Sequence, residues 1–267
     1  MTIDTGMPGA DPEAMRARRA EAEALTASVR RDFAHELGIA YGDHPKQRLD
    51  LYLPERPAGP TLVFLHGGAF RAGDPGSVGY HGRPYLEHGA IFVSMGYRLV
   101  PDAKFPDCAD DLEAGLTWLQ AHLAERGGDP ERIHVSGHSA GATLGALVAM
   151  RPKRLHPADL VKGLVAISGM YDYTRRSAEV TNFDSPHFVP KLTESIERLP
   201  DHTIVVAADK DLPACLPDAE ALVSAVRQRG GSVEMFVERD ADHFQANRSF
   251  IAEGGAVFGA TARMMKL

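Results

Sequence analysis

The sequence has little of what marks several large classes of protein. Two cysteines in 267 residues, Cys108 and Cys215, cannot build a disulfide framework and read as reduced thiols of a cytoplasmic protein. No apolar run is long enough to cross a bilayer. The Arg- and Glu-rich start holds no apolar segment of signal-peptide type, so neither membrane nor secretion is expected. Positive charge is not in excess: 29 Lys and Arg against 36 Asp and Glu leave a net charge of -7, without the basic surface that nucleic acid or anionic lipid requires. None of the 12 histidines pairs with another at metal-ligand spacing, so no metal site is expected.

What is present is an ordinary globular composition, 44% hydrophobic and 24% charged. It suits one α/β domain over residues 1–267, with the oligomeric state open and a homodimer one option. Residues 1–12, rich in Gly, Pro and Asp, read as a flexible tail. Residues 13–37 favour helix, as either a solvated helix or a cap over a cleft.

Beyond that segment, strand and helix patterns alternate. Leu49, Leu51 and Leu53 alternate as a half-buried strand, and Leu62 to Leu65 is a continuously apolar one. Ala90 to Tyr97 is a further buried strand. Leu112, Leu116, Leu119 and Leu123 fall at helical spacing within Asp107 to Arg126, where Trp118 reads as core, and Gly127-Gly128-Asp129-Pro130 stops the helix. Strands follow at Leu164 to Ile167, Thr203 to Ala207 and Val233 to Val237, with helices over Leu216 to Arg229 and from about Asn247. The segment from Thr174 to Pro200 has no period and reads as an irregular excursion that could line a pocket. The fold expected is a mostly parallel, doubly wound sheet with helices on both faces.

The chemistry centres on Gly137-His138-Ser139-Ala140-Gly141, a G-x-S-x-G pentapeptide between an apolar strand and a helix rich in small residues. A serine at such a turn is held in a strained conformation that lifts its hydroxyl clear of the sheet, and the helix beginning there offers free amides to an oxyanion. The glycines keep side chains out of the adjoining strand and helix. Upstream, His66-Gly67-Gly68-Ala69-Phe70 follows a buried strand, so that Gly67 and Gly68 can turn their amides, with that of Ala140, toward a bound oxygen. A serine hydroxyl needs a base to become a nucleophile. In folds with this turn the order along the chain is Ser, acid, His. Asp209 and Asp211 lie at the end of a late strand, and His243 is the only histidine after them. His138 reads as structural, though adjacency to Ser139 also places it among the candidate substrate contacts with Ala69, Phe70 and Phe244. His66 reads as a brace for the glycine loop.

In this order, His66-Gly67-Gly68, the Ser139 pentapeptide, Asp211 and His243 resemble the α/β-hydrolase fold, in particular its hormone-sensitive-lipase-like esterases and its kynurenine formamidase (arylformamidase) group. The resemblance runs from about Tyr41 to the C-terminus. Tyr41-Gly42, Arg48-Leu49-Asp50-Leu51, Ser168-Gly169-Met170-Tyr171-Asp172 and His243-Phe244 are closest to the formamidase group, and Asp211-Leu212-Pro213 is similar to its acid-x-Pro segment, which favours Asp211 over Asp209. The chain departs from that group at Ala69, where a bulky aromatic is usual, at Ala208 for a glycine, and at Ala214-Cys215 for Glu-Phe. The resemblance implies a serine hydrolase acting without cofactor on a small ester or amide, with Ser139 as nucleophile, His243 as base and Asp211 as the acid that orients it. A carboxylesterase is expected first and an arylformamidase second. A ligand-binding module on the same scaffold would be a different class, as would an interaction protein with an incidental motif; an intact Ser, Asp and His set argues against both.

Overall fold

The alternating apolar runs assemble into one eight-stranded sheet in a computed structural model that describes residues 12–151 and 160–267. The strands are β1 Ala34–Ala40, β2 Arg48–Leu53, β3 Thr61–Leu65, β4 Ile91–Met95, β5 Ile133–His138, β6 Val161–Ile167, β7 His202–Lys210 and β8 Val233–Asp242. The helices are α1 Pro12–Asp32, α2 Arg83–Glu87, α3 Ala109–His122, α4 Ala140–Met150, α5 Cys215–Gln228, α6 Arg248–Ile251 and α7 Ala256–Met265. Spatial order is β1-β2-β4-β3-β5-β6-β7-β8. Pairings from β4 through β8 are parallel, and β1 and β2 are added antiparallel at one edge.

Both faces are covered, which is why β3 and β4 are almost wholly apolar and even His134 and Ser136 of β5 are buried. All five residues of β3 are buried. Val63 and Leu65 point to a core shared with Leu112 and Leu116 of α3, Leu144 of α4 and Leu222 of α5. Leu62 and Phe64 point to a second core with Val29 of α1, Tyr85 of α2 and Val257 of α7. Trp118 is half-buried against the first core and stacks on His122.

The N-terminal segment differs from its expected form. The helix ends at Asp32, and residues 34–40 are an edge strand with Leu37 45% exposed. Its helix-favouring composition loses to the free edge of β2, where Gly38 at φ 65° sits within a bulge and its amide donates to Asp50 Oδ1 at 2.8 Å. The helix expected from about Asn247 is broken into α6 and α7 around Gly254, at φ 79°. Strands β7 and β8 run further than their apolar cores because the ladder continues past an irregularity to Lys210 opposite Asp242. The expected tail lies outside the described residues, apart from Pro12 at the start of α1. No described helix is long and apolar enough to cross a membrane.

Candidate active site

The parallel strands end side by side, and their carboxyl ends carry every group in question. Ser139 follows β5 at φ 55°, ψ -116°, outside the regions open to an ordinary L-residue. The conformation is held by its amide, which donates to Ile167 O at 2.8 Å, and by α4, which begins at the next residue. The flanking glycines are steric requirements. A Cβ on Gly137 would lie 2.5 Å from the backbone of Gly141, and one on Gly141 would lie 2.1 Å from Leu65 O. The oxyanion candidates surround the serine: a Cβ on Gly67 would sit 3.3 Å from that of Ser139. Among the described residues the amides of Gly67, Gly68 and Ala140 have no backbone acceptor. Ala69 and Phe70 hold the loop at φ 54° and 61°, a second pocket of backbone strain beside the first.

His243, in the turn after β8, bridges the other two groups. Its Nε2 lies 2.9 Å from Ser139 Oγ and its Nδ1 2.6 Å from Asp211 Oδ1. Burial raises the pKa of Asp211, but hydrogen bonds from His243 and Ser168, the histidine's charge and the Ala208 amide outweigh it, and the net shift is well downward. An ionised carboxylate only accepts, so Nδ1 carries the proton and Nε2 of the neutral ring accepts from the serine hydroxyl. Asp209 stands elsewhere: its carboxylate accepts the amides of Asp240 and Ala241 at 2.9 and 3.1 Å, tying the end of β7 to the strand that delivers His243.

The candidate substrate contacts separate. Ala69 and Phe244 are half-buried near the site. Phe70 is fully buried, wedged against Tyr97 and Phe105, so it belongs to the support of the loop and not to an open pocket. His138 donates Nε2–H to the carbonyl of His243 at 2.8 Å, which commits it to bracing that turn. Burial, then the neighbouring His243, lowers its pKa to about 4 and keeps it neutral. His66 bonds the carbonyl of Gly67 at 2.8 Å and stacks on Tyr97, bracing the glycine loop. The first helix takes part through one residue. Arg18 pairs with Asp242 at 2.9 Å and lies 4.8 Å over Phe244, so it grips both neighbours of His243 while the rest of that end of α1 stays largely in solvent.

Two residues of this region carry weight that their sequence setting did not assign. Ser168, just after β6, donates its hydroxyl to Asp211 Oδ2 at 2.5 Å. Its signal was a serine closing a buried strand and followed by glycine, as at the elbow. Arg176, in the aperiodic excursion, is the other. Cys215 is free, with its thiol 4.0 Å from His243 Nδ1 and donating to Ser168 O at 3.4 Å. Asp211, Cys215 and His243 bring three donor atoms within 4.8 Å. Their geometry suits hydrogen bonding better than a metal, because the carboxylate and Nδ1 are engaged with each other and burial pushes the thiol pKa far up.

Residues 62–183 match the sequence profile of the alpha/beta hydrolase fold. The chain has the α/β-hydrolase fold. Solved structures agree: Esterase B from Lactobacillus rhamnosis superposes with a TM-score of 0.73 at 17% identity, over 95% of this chain and 92% of that one. Among curated relatives of this α/β-hydrolase-fold chain, Esterase LipC of Mycobacterium tuberculosis is 33% identical over 55% of this chain and 40% of its own length. The isoprenylcysteine alpha-carbonyl methylesterase ICME of Arabidopsis thaliana is 33% identical over 50% of this chain and 34% of its own. The chain thus spans well under half the length of these esterases. Kynurenine formamidase of Danio rerio is 25% identical over 81% of this chain and 77% of its own length.

Proposed function

We propose that the protein is a serine hydrolase that cleaves a small carboxylic ester through an acyl-enzyme intermediate. The observation that carries the reading is the His243 ring standing 2.9 Å from Ser139 Oγ on one side and 2.6 Å from Asp211 on the other. His243 Nε2 takes the hydroxyl proton as Ser139 Oγ attacks the substrate carbonyl. The amides of Gly67, Gly68 and Ala140 receive the oxyanion, aided by the positive end of α4. Asp211 holds the imidazole with its proton on Nδ1 and stabilises the imidazolium. His243 then protonates the leaving group; water, deprotonated by the same nitrogen, attacks the acyl carbon and releases the acid. The low pKa of His138 fits this scheme, since a second charge beside His243 would oppose the imidazolium. Small-molecule esters or amides are the partners this chemistry needs.

A second reading, arylformamidase, is favoured by the match of the Danio rerio kynurenine formamidase over 81% of this chain. Ala69 separates the two. If the space left by its small side chain lies on the acyl side of the oxyanion loop, acyl groups larger than formyl are accepted, and each methylene buried adds about 0.8 kcal/mol. The test is kcat/KM for p-nitrophenyl acetate, p-nitrophenyl butyrate and N-formylkynurenine under one set of conditions. Ester hydrolysis equal to or above that of N-formylkynurenine is expected. A value for N-formylkynurenine two orders of magnitude above both esters replaces the esterase reading with the formamidase one.

A further inference from the structure

The partly buried arginines of this protein mostly have a carboxylate. Arg30 has Asp50, Arg98 has Asp111, Arg126 has Glu36 and Arg151 has Glu197. Arg48 and Arg132 lack one and donate to two or more backbone carbonyls instead. Arg176 has neither arrangement. Among the described residues no carboxylate pairs with it. One nitrogen, Nη2, donates to Thr143 Oγ1 at 2.8 Å and reaches Met170 O at 3.5 Å, while Nε is out of water without a partner. Three aromatic faces surround the guanidinium, those of Phe70, Phe105 and Tyr173 at 5.1, 5.2 and 5.9 Å, and the Tyr173 hydroxyl is itself buried and unpartnered.

Aromatic faces return part of the lost hydration of a cation, on the order of 1–2 kcal/mol. They leave the sealed Nε–H empty, and a charge without a carboxylate on a half-buried side chain remains costly. Burial accordingly lowers the pKa of Arg176. A water molecule could fill Nε but would not balance the charge. The position of this cation is informative. Thr143 is one helical turn beyond Ser139, its amide bonded to Ser139 O at 3.0 Å, and Phe70 closes the glycine loop. Arg176 is thus linked through Thr143 to the turn of α4 that begins at Ser139, and through Phe70 to the candidate oxyanion loop.

We infer that Arg176 is a specificity-determining residue that receives a carboxylate carried by the substrate, so that the preferred ester is an anionic one. The inference rests on the serine-hydrolase reading above. An incoming carboxylate supplies the bidentate acceptor that the guanidinium fork lacks and leaves the cage electrically neutral. The carboxylate can sit on the acyl or on the alcohol part of the ester, and two substrate pairs distinguish these. The first pair is the p-nitrophenyl monoester of adipic acid against p-nitrophenyl hexanoate, equal in chain length. The second is the acetate ester of p-hydroxybenzoic acid against that of p-hydroxybenzamide.

The wild-type protein is expected to favour the anionic member of one pair by about tenfold or more in kcat/KM, the size of a hydrogen-bonded charge contact. The pair that shows it assigns the side. Arg176→Met, which fills similar volume, should remove that preference mainly through KM while leaving the neutral ester within a few-fold, and Arg176→Lys should keep part of it. A merely structural arginine would lower both members of a pair alike and leave their ratio unmoved. An anionic-to-neutral ratio near one in the wild-type protein, or one that persists in Arg176→Met, overturns the inference. Should Arg176→Met fail to fold, the wild-type ratio and its partial loss in Arg176→Lys decide the matter. Turnover of neutral esters without any anionic preference contradicts this inference alone. Absence of all turnover, together with no labelling by a fluorophosphonate, contradicts the serine mechanism and this inference with it.

Discussion

Two serines at the ends of neighbouring strands are built alike and left with different tasks. Ser139 follows β5 at φ 55° and its amide donates to Ile167 O at 2.8 Å; Ser168 follows β6 at φ 53° and its amide donates to Val206 O, also at 2.8 Å. Each backbone is thus strained and pinned to the next strand in the same way. The hydroxyls then diverge. That of Ser139 is half-buried and meets His243, whereas that of Ser168 is 1% exposed and donates to Asp211 from the far side. The four groups form one chain of hydrogen bonds, Ser139 to His243 to Asp211, with Ser168 at its closed end. Under the proposed mechanism, strain alone does not make a nucleophile. What separates the two is exposure and the partner of the hydroxyl: an imidazole nitrogen for Ser139, and for Ser168 a carboxylate that can only receive a hydrogen bond.

The largest expected effect breaks the pair outright. Ser139→Ala should lower kcat by about 10³-fold or more with the fold intact, measured on p-nitrophenyl acetate. Asp211→Asn comes next, at about 10³-fold, because an amide can hold the imidazole in the wrong tautomer and cannot stabilise its charge. Asp209→Asn should cost far less, since its contacts are backbone amides of the β8 turn. If the Asp209 variant is the dead one, the acid has been assigned to the wrong carboxylate.

Ser168→Ala should be smaller, about tenfold in kcat, as for one hydrogen bond to a charged group. It should also raise the pKa of Asp211, because a contact that holds it down is gone, a shift to be read by NMR titration of that carboxyl. In an Asp211→Asn background the same substitution should add little, as groups that act in series are non-additive. Equal losses from Ser168→Ala in both backgrounds would separate it from Asp211 and reduce it to a packing residue.

The smallest effect on activity is an effect on stability. His66 and His81 are buried with pKa lowered to about 4 and about 3, and that of the half-buried His138 is lowered to about 4, in each case chiefly by desolvation. A histidine of depressed pKa in the folded state contributes stability that is complete above its unfolded value of about 6.5 and lost as pH falls toward the folded one. The melting temperature should therefore fall between about pH 6.5 and 4, with a loss of about 3 kcal/mol for a single such group at 1.36 kcal/mol per pH unit. A melting temperature flat across that window would contradict buried neutral imidazoles around the site.

The legible parts of the sequence were those where sterics restrict residue type. The elbow glycines could be read because any side chain at Gly137 or Gly141 collides with backbone, and the central strands because burial on both faces removes polar residues. Chain order then left one histidine after the candidate acids. The first strand was not legible: Ala34, His35, Glu36 and Leu37 lean toward helix, and only the open edge of β2 turns them into strand. Ser168 and Arg176 were missed for a related reason. Their partners Asp211 and Thr143 lie 43 and 33 residues away, across turns with no period to betray them. Adjacency to the glycine loop suggests substrate contact for Phe70, whereas its ring is fully buried against Tyr97 and Phe105.

The most direct test of the central claim asks which hydroxyl a mechanism-based reagent finds. The native protein should be treated with a fluorophosphonate and the modified peptide located by mass spectrometry. The account predicts one label per chain, on Ser139, absent from Ser139→Ala and from the unfolded protein, with Ser168 unmodified and His243→Ala strongly retarded. A native protein that takes no label, or takes it on Ser168 or any residue other than Ser139, would contradict it.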